Sequence, residues 1–226
     1  MNYILHIDSS TKVCSIALSN GAQLLELIET DSEKLAHSEK LHVFIEECLN
    51  KAGIQPANLS AVCVSKGPGS YTGLRIGVSA AKGLCYGLSI PFIAIDTLEA
   101  MADSVQFKVE NNAILIPMID ARRIEVFCSV HQNGNTQTKV HARILDEEPF
   151  TELEGEKGYY FGDGAEKAIQ YMPSSFTFLK DQNTSAKNLI SLAWKKFENN
   201  DFEDTAYFEP FYLKDFKAGK PKKVLK

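Results

Sequence analysis

The feature that most constrains the fold of this chain is a pattern that occurs twice. In each half, an apolar run ends in aspartate, a second apolar run follows, and an Asn-Gly dipeptide closes the unit. The first copy consists of Ile4–Ile7, Asp8, Val13–Leu18 and Asn20-Gly21, and the second of Ile114–Ile119, Asp120, Ile124–Val130 and Asn133-Gly134. The copies lie 112 or 113 residues apart in a chain of 226 residues. A repeat at half the chain length predicts a duplicated fold with two lobes.

The order of elements in the first half indicates an α/β lobe. Asn20-Gly21 between two apolar runs predicts a hairpin whose two turn residues both have positive φ, so the lobe begins with three antiparallel strands. Helices and strands then alternate at about Leu41–Ala52, Leu59–Ser65, Leu74–Leu88, Pro91–Ile95 and Thr97–Val105. Thr97 is placed to cap the third helix. This order, βββαβαβα, is that of the actin, hexokinase and Hsp70 folds, an ATPase class abbreviated ASKHA.

The second half is expected to repeat that order less regularly. Tyr159–Phe161 is predicted as a strand, and helices are predicted from about Ala165 and over Ala186–Phe197. We therefore predict an α/β protein with an N-terminal lobe over residues 1–106, a C-terminal lobe over 107–213 and a basic tail over 214–226.

Charge and cysteine content limit the classes of function. The net charge of −5 argues against broad, non-specific binding to nucleic acid, although the tail carries +5 and leaves −10 on the remainder. The five cysteines are an odd number, lie in apolar runs and form no CxxC pair. This usage is typical of buried thiols in a reducing compartment. No signal peptide or membrane span is visible, and a cytoplasmic location is expected.

Two segments have the composition of phosphate loops. Asp8-Ser9-Ser10 follows the first strand, and the second segment lies between a strand and a helix and contributes Gly67, Gly69, Ser70, Thr72 and Gly73. Glycines and a helix N-terminus suit an anion, but no lysine occupies the Walker position. The alternatives are an Asp that bonds to its own hairpin turn and a tight turn capped by Ser70 or Thr72. At the equivalent place in the second half, Arg122 weakens a symmetric phosphate site.

Small residues form one stripe along the helix after the glycine loop. The stripe consists of Gly73, Gly77, Ala80, Leu84 and Gly87. Helical glycine costs up to about 1 kcal/mol relative to alanine, so the stripe predicts close approach of another backbone. Packing within the chain is one explanation. The other is a subunit interface formed with the preceding helix through Leu41, Ile45 and Leu49.

No residue is identified as catalytic or metal-binding. His37 and His42 are five positions apart, which on a helix separates them by about 140° rather than placing them on one face. No GxSxG nucleophile elbow is present.

The glycine loop and four other motifs resemble the TsaB (YeaZ) family. These motifs are Ile7–Ser10, His37–Glu39, Lys66–Gly77, Ile119–Arg122 with Glu125-Val126, and Pro210–Lys214. The resemblance implies a two-lobed actin-like fold without an active site of its own. It also implies pairing with TsaD, the catalytic paralogue that transfers a threonylcarbamoyl group to an adenosine beside the tRNA anticodon, and assembly with the ATPase TsaE. ATP and a metal ion are then expected on the partner subunits.

The sequence departs from the catalytic paralogue at the metal motif. That paralogue carries H-x-x-x-H, of which only His37 is kept, and the role of His37 stays open. We expect a scaffold or activator that meets tRNA through the complex and self-associates when the partner is absent. The alternatives are a peptidase or a small-molecule kinase of the actin-like fold, and a stand-alone nucleotide-binding regulator.

Overall fold

The first half of the chain folds into a five-stranded sheet with helices packed on it. The structure, a computed structural model, describes residues 1–30 and 37–214, with side chains from residue 40 onward in the first helix. The strands are β1 (Tyr3–Asp8), β2 (Cys14–Asn20), β3 (Gln23–Thr30), β4 (Leu59–Gly67) and β5 (Phe92–Asp96), and the helices are α1 (His37–Ala52), α2 (Tyr71–Leu88) and α3 (Thr97–Val105). The strand order is β3-β2-β1-β4-β5. The first three strands are antiparallel, as predicted, and β1, β4 and β5 are parallel.

The second half forms a sheet with the same topology. Its strands are β6 (Ile114–Asp120), β7 (Glu125–Cys128), β8 (His131–Gln132), β9 (Asn135–Thr136), β10 (His141–Ile144), β11 (Gly158–Phe161) and β12 (Phe176–Leu179), followed by helix α4 (Ile190–Glu198). The path β10-β7-β6-β11-β12 reproduces the order of the first sheet, with β8 and β9 off the path as a small hairpin. The strand order confirms the predicted duplication.

The helices of the second half differ from the prediction. The positions of α1 and α2 are taken by short 3₁₀ helices at Thr151–Leu153 and Glu166–Tyr171, so the helix predicted from about Ala165 is present as a 3₁₀ helix and not as an α-helix. Of the helix predicted at Ala186–Phe197, the first turn is also 3₁₀, over Ala186–Leu189, and α4 supplies the rest. The second lobe therefore keeps the duplicated strands without two of the duplicated helices.

Two local predictions need correction. In the first hairpin Asn20 pairs with Gln23, so the turn residues are Gly21 and Ala22, and positive φ is recorded there for Gly21 alone, at 59°. This matches a II′ turn, which needs glycine only at its first central position. In the second half, by contrast, Asn133 and Gly134 have φ of 53° and 73°, as predicted.

The cap of α3 is Asp96 and not Thr97. Asp96 is extended, with φ −62° and ψ 132°, and its carboxylate accepts hydrogen bonds from the amides of Leu98 and Glu99. Thr97 is already the first helical residue, so its hydroxyl cannot serve as the N-cap.

The two halves are tied together by helices that cross between them. Leu98 and Met101 of α3 pack with Leu115 and Phe161 of the second sheet. In the other direction, Ala193 of α4 packs against the first sheet. Residues 184–186 also form hydrogen bonds to the first sheet. The hydroxyl of Ser185 donates to the carboxylate of Glu29 at 2.5 Å, and the same carboxylate oxygen accepts from Ser15 of the neighbouring strand at 2.8 Å. The lobe boundary at 106/107 falls between α3 and β6, and the division stays a prediction.

After α4 the chain returns across the first lobe as an irregular segment, residues 203–214, which we term the C-terminal strap. The amide of Glu203 donates to the carbonyl of Phe92, and the Phe208 ring packs edge-on against Phe92 at 5.0 Å. The strap then reaches the second lobe, where Leu213 joins the core cluster around Leu98 and Lys214 pairs with Glu125.

None of the helices in the described ranges is long and apolar enough to cross a membrane.

Candidate functional site

Asp8, at the end of β1, is a buried carboxylate with hydrogen bonds to its own chain. It is 2% exposed, and its Oδ1 accepts from the amide of Ser10 at 3.0 Å, the hydroxyl of Ser10 at 2.6 Å and the hydroxyl of Ser65 at 3.0 Å. Burial raises the pKa of Asp8, and these hydrogen bonds lower it in part. The contacts to Ser10 are those of an aspartate that closes its own turn, one of the two explanations left open by the sequence.

The segment after Asp8 is in direct contact with the glycine loop. The hydroxyl of Ser9 donates to the carbonyl of Gly73 at 2.8 Å, and the amide of Ser70 donates to the carbonyl of Ser10 at 2.6 Å. A Cβ atom on Gly69 would lie 2.3 Å from the Ser10 oxygen, and one on Gly73 would lie 2.0 Å from the Ser9 oxygen. Both glycines are therefore required by the contact between the loops. We term this contact the loop joint.

Gly67 contacts a different segment, the C-terminal strap. Its φ is +114°, and a Cβ atom there would lie 2.5 Å from the carbonyl oxygen of Phe211 in the C-terminal strap. The amide of Phe211 in turn donates to the carbonyl of Lys66 at 2.8 Å. The strap thus lies directly on the end of β4.

Ser70 caps α2 by accepting from the amide of Gly73 at 3.3 Å, so the helix begins at Tyr71, three residues before the predicted start. The structure brings Asp8, Ser9 and Ser10 together with the loop from Gly67 to Gly73, but as a joint within the chain. Thr72 is the member of this set whose side chain is exposed without taking part in the joint. Nucleotide binding by these loops stays a prediction.

The second half repeats the joint with different chemistry. Asp120 is exposed, accepts from the amide of Arg122 at 2.5 Å and forms an ion pair with Lys167 at 2.7 Å. A Cβ atom on Gly164 would lie 2.7 Å from the carbonyl carbon of Ile119. The aspartate at the end of the central strand therefore forms an ion pair with a lysine in the second lobe, whereas in the first lobe it accepts hydrogen bonds from serine hydroxyl groups.

The small-residue stripe on α2 does not point outward as a whole. A Cβ atom on Gly77 would lie 2.3 Å from Ser9 Oγ, and Gly73 faces the same segment. Ala80 is 8% exposed and belongs to the core cluster. The stripe from Gly73 to Ala80 thus packs inside its own lobe, as the intrachain explanation requires. The last two members of the stripe face outward: Leu84 is partly exposed, and a Cβ atom added to Gly87 would meet no described atom within 4 Å.

The predicted interface residues on α1 are also in the core. Leu41, Ile45 and Leu49 are 0%, 6% and 4% exposed and pack in the cluster beneath the first sheet. Helical periodicity identified the apolar face of α1 correctly, but that face covers the sheet of the same lobe.

A different surface lies open between α1 and α2. We term this surface the outer groove. It is lined by His42, Arg75, Ile76, Ser79, Ala80, Gly83 and Leu84. Val43 and Tyr86, on the exposed sides of the same two helices, are 56% and 85% exposed. Sequence reasoning missed most of this surface. The available signal was the series Arg75, Ser79 and Gly83 at four-residue spacing, displaced from the buried stripe on the helical wheel.

The groups capable of nucleophilic or metal chemistry are buried or scattered. All five cysteines are free and buried, as expected. Burial raises the pKa of Cys14 and Cys85 to about 11 and of Cys48 and Cys128 to about 12. These thiols are therefore protonated at neutral pH.

Two of the histidines are buried, and within the described residues none belongs to a group of side chains that could hold a metal ion. Burial lowers the pKa of His6 to about 3 and of His131 to about 4. Among residues 1–30 and 37–214, no three His, Cys, Asp or Glu side chains are grouped so as to hold a metal ion. His42 lies on the wall of the outer groove, and the side chain of His37 lies outside the described residues.

Two sheets of identical strand order, with a helix crossing between them and paired loops at the ends of their central strands, define the class: a two-lobed α/β protein with the actin-like ATPase fold. A family model described as "TsaD: tRNA N6-adenosine threonylcarbamoyltransferase" matches residues 31–220.

Comparison with relatives narrows this class. Two proteins named "tRNA threonylcarbamoyladenosine biosynthesis protein TsaB" are similar to the chain. The one from Escherichia coli is 28% identical over 96% of each chain, and the one from Buchnera aphidicola of Acyrthosiphon pisum is 34% identical over 65% of this chain and 68% of that protein. A Pseudomonas aeruginosa crystal structure, described as similar to peptidase YEAZ, has the same fold, with a TM-score of 0.79 at 23% identity over 95% of this chain and 100% of that chain. The chain belongs to the TsaD family and, within it, to the TsaB proteins.

Proposed function

We propose that this protein is a non-catalytic accessory subunit in the formation of threonylcarbamoyladenosine in tRNA. In this proposal it pairs with a TsaD-type catalytic paralogue, a TsaE-type ATPase joins the assembly, and tRNA is met through the complex. ATP and a metal ion act on the partner subunits, and the protein works in the cytoplasm. Membership of the TsaB family supports a role in threonylcarbamoyladenosine biosynthesis.

The observation that carries the non-catalytic role is the loop joint. In the first lobe, the amide of Ser70 and the carboxylate of Asp8 are hydrogen-bonded within the chain. Gly69 and Gly73 are in contact with the backbone of Ser10 and Ser9. The groups that would hold a phosphate are thus bonded to one another. The raised pKa values of the buried thiols also argue against a cysteine nucleophile.

The outer groove is the surface that best suits a partner. Gly83 and Gly87 lie in the interior of α2, yet a Cβ atom on either would meet no atom within 4 Å among the described residues. Each glycine costs about 1 kcal/mol in a helix relative to alanine, and no contact within residues 1–30 and 40–214 explains that cost. Close approach of a partner helix does. Val43 and Tyr86 add exposed apolar area beside the groove, where such a helix would cover them.

This interface shares Ala80, Leu84 and Gly87 with the one predicted from the sequence, but it replaces the buried Leu41, Ile45, Leu49, Gly73 and Gly77 with residues on the outward sides of α1 and α2. We propose that the TsaD-type subunit docks there and that a second copy of this chain occupies the same surface when the partner is absent. The variant Gly83→Trp tests the interface, since an indole on the groove wall holds an opposing helix away. We expect its affinity for the co-purified partner to fall by at least about 30-fold, measured by calorimetric titration.

Lys195→Trp is the matched control, because Lys195 is 62% exposed on α4, away from the groove. Its affinity and its thermal unfolding should match the wild type. Unchanged partner binding by Gly83→Trp, with a normally folded protein, would refute the proposed interface.

Catalysis is tested on the isolated protein. We expect no turnover of ATP or of peptides, and we expect tRNA modification in a reconstituted mixture to require both this chain and the TsaD-type subunit. The alternatives, a peptidase or a kinase, predict turnover by the isolated chain. ATP or peptide turnover that a substitution at Asp8 abolishes would establish one of them and overturn the accessory role.

A further inference from the structure

The outer groove contains one charged side chain that is held in a fixed orientation, Arg75. Its guanidinium carbon lies 4.2 Å from the ring centroid of Tyr71 and 5.7 Å from that of Tyr212. The two rings are 4.8 Å apart, and Arg75 Nε donates to the hydroxyl of Tyr212 at 3.0 Å. An exposed arginine ordinarily loses substantial rotamer entropy when it binds, and this one is already ordered.

The order is imposed by the C-terminal strap. Tyr212 is held in place by its neighbour Phe211, whose amide donates to the carbonyl of Lys66. About two turns after Arg75 along α2, Lys82 Nζ donates to the carbonyls of Ala206 at 3.2 Å and Phe208 at 3.0 Å. These contacts fix the strap before Tyr212, and the ion pair of Lys214 with Glu125 fixes it afterwards, so Tyr212 is held where it orients Arg75.

The remaining face of the guanidinium is open. Within the described residues, Arg75 forms its hydrogen bond through Nε, and its two Nη atoms have no hydrogen bond or ion pair. Glu209 on the strap lies near enough to interact electrostatically with it. The groove walls beside it are apolar, formed by Ile76, Ala80 and Leu84. A planar fork with two free donors next to apolar walls fits a carboxylate in bidentate geometry.

We propose that Arg75 is the residue that determines specificity in the outer groove, and that it binds an Asp or Glu side chain carried by a helix of the partner subunit. This inference rests on the proposed function, since it concerns the same interface. Tyr212 is a positioning residue in it, because it orients Arg75 without touching the partner's carboxylate.

The test is a set of calorimetric titrations with the TsaD-type subunit co-purified from the same organism. Arg75→Ala should weaken binding by about 10- to 100-fold, because the carboxylate is left buried without its partner. Arg75→Lys should lose most of that affinity, because a point charge cannot replace the fork. Tyr212→Phe keeps the ring and removes the acceptor, so binding should weaken by about 3- to 10-fold with unchanged thermal unfolding.

Lys195→Ala removes the same charge from α4 and should bind within about 2-fold of the wild type. If Arg75→Ala fails to fold, Arg75→Lys and Tyr212→Phe still decide the question. Wild-type affinity in the Arg75 variants, together with loss of binding in Gly83→Trp, overturns the role of Arg75 and leaves the interface in place. Wild-type affinity in all of them refutes the interface itself. Unchanged partner affinity with weaker tRNA retention by Arg75→Ala would identify a phosphate contact and overturn the inference.

Discussion

Asp8, Ser9 and Ser10 lie in close contact with the glycine loop, and the geometry of this contact depends on the absence of side chains at the facing glycines. Gly69 and Gly73 allow two backbone segments to approach within hydrogen-bond distance. Gly77 continues this contact one turn later against Ser9 Oγ. Gly77→Leu is therefore expected to disrupt the fold, although an outward stripe would have left it folded.

Gly73 and Gly83 provide a matched pair on one helix. Gly73→Ala places a methyl group 2.0 Å from the carbonyl oxygen of Ser9, so we expect a loss of about 2–4 kcal/mol in the free energy of unfolding. The methyl group of Gly83→Ala meets no atom within 4 Å in the part of the chain that the structure describes, so we expect a gain of about 0.5–1 kcal/mol in the free energy of unfolding from helix propensity. Urea unfolding of both variants checks the pair. Equal effects at the two positions would contradict the loop joint.

At the scale of elements, the first lobe was predictable because its periodic patterns are long. The helix start at Tyr71 lies three residues before the predicted one, and the strand order followed from the repeat around Asp8 and Asp120. The second lobe was less predictable, because its 3₁₀ segments have no 3.6-residue period. The orientation of α2 could not be predicted either. Periodicity groups Gly73 with Gly77 but does not say on which side the sheet lies, so the outer groove around Arg75 was missed.

The start of α3 carries a pH dependence. Burial raises the pKa of its cap, Asp96, to about 6, against the lowering effects of the amide of Glu99 and the charge of Lys66. The folded state therefore holds the proton more tightly than the unfolded state. Asp96 makes the free energy of unfolding fall by up to about 3 kcal/mol as pH rises from about 4 to about 6, with no further change above.

Asp96→Asn tests this, since the amide oxygen can still accept from the amides of α3. The variant should be more stable than the wild type at pH 8, and the difference should vanish near pH 4. Denaturant unfolding at several pH values measures it, with Asp146→Asn as the control because Asp146 is exposed. A variant less stable than the wild type at pH 8 would show that the charge itself supports the cap.

At the scale of the whole molecule, charge is distributed unequally along the chain. The tail from Lys214 to Lys226 carries +5 and the rest of the chain −10. Of this tail the structure describes Lys214, which pairs with Glu125 and lies 5.8 Å from the ring centroid of Phe127. The remaining tail residues lie outside the described ranges.

Deleting residues 215–226 should leave partner affinity unchanged, because the proposed interface lies on α1 and α2. It should weaken retention of tRNA by the complex at low salt and have little effect at high salt, since the tail acts through phosphate counterions. Filter binding at two salt concentrations measures this. Loss of the partner complex after the deletion would show that the tail is structural.

The return of α4 and the C-terminal strap to the first sheet also sets the order in which the protein can mature on the ribosome. The residues that cover Ile93 and Phe92 are made after the last strand of the second sheet, β12. At about 5–20 residues per second, the 118 residues from Thr97 to Lys214 take roughly 6–24 s to synthesise. During that interval the apolar face of the first sheet that α4 covers in the folded protein is exposed to solvent, so we expect chaperones to bind the nascent chain there. A chain terminated before α4 lacks the residues that cover this surface.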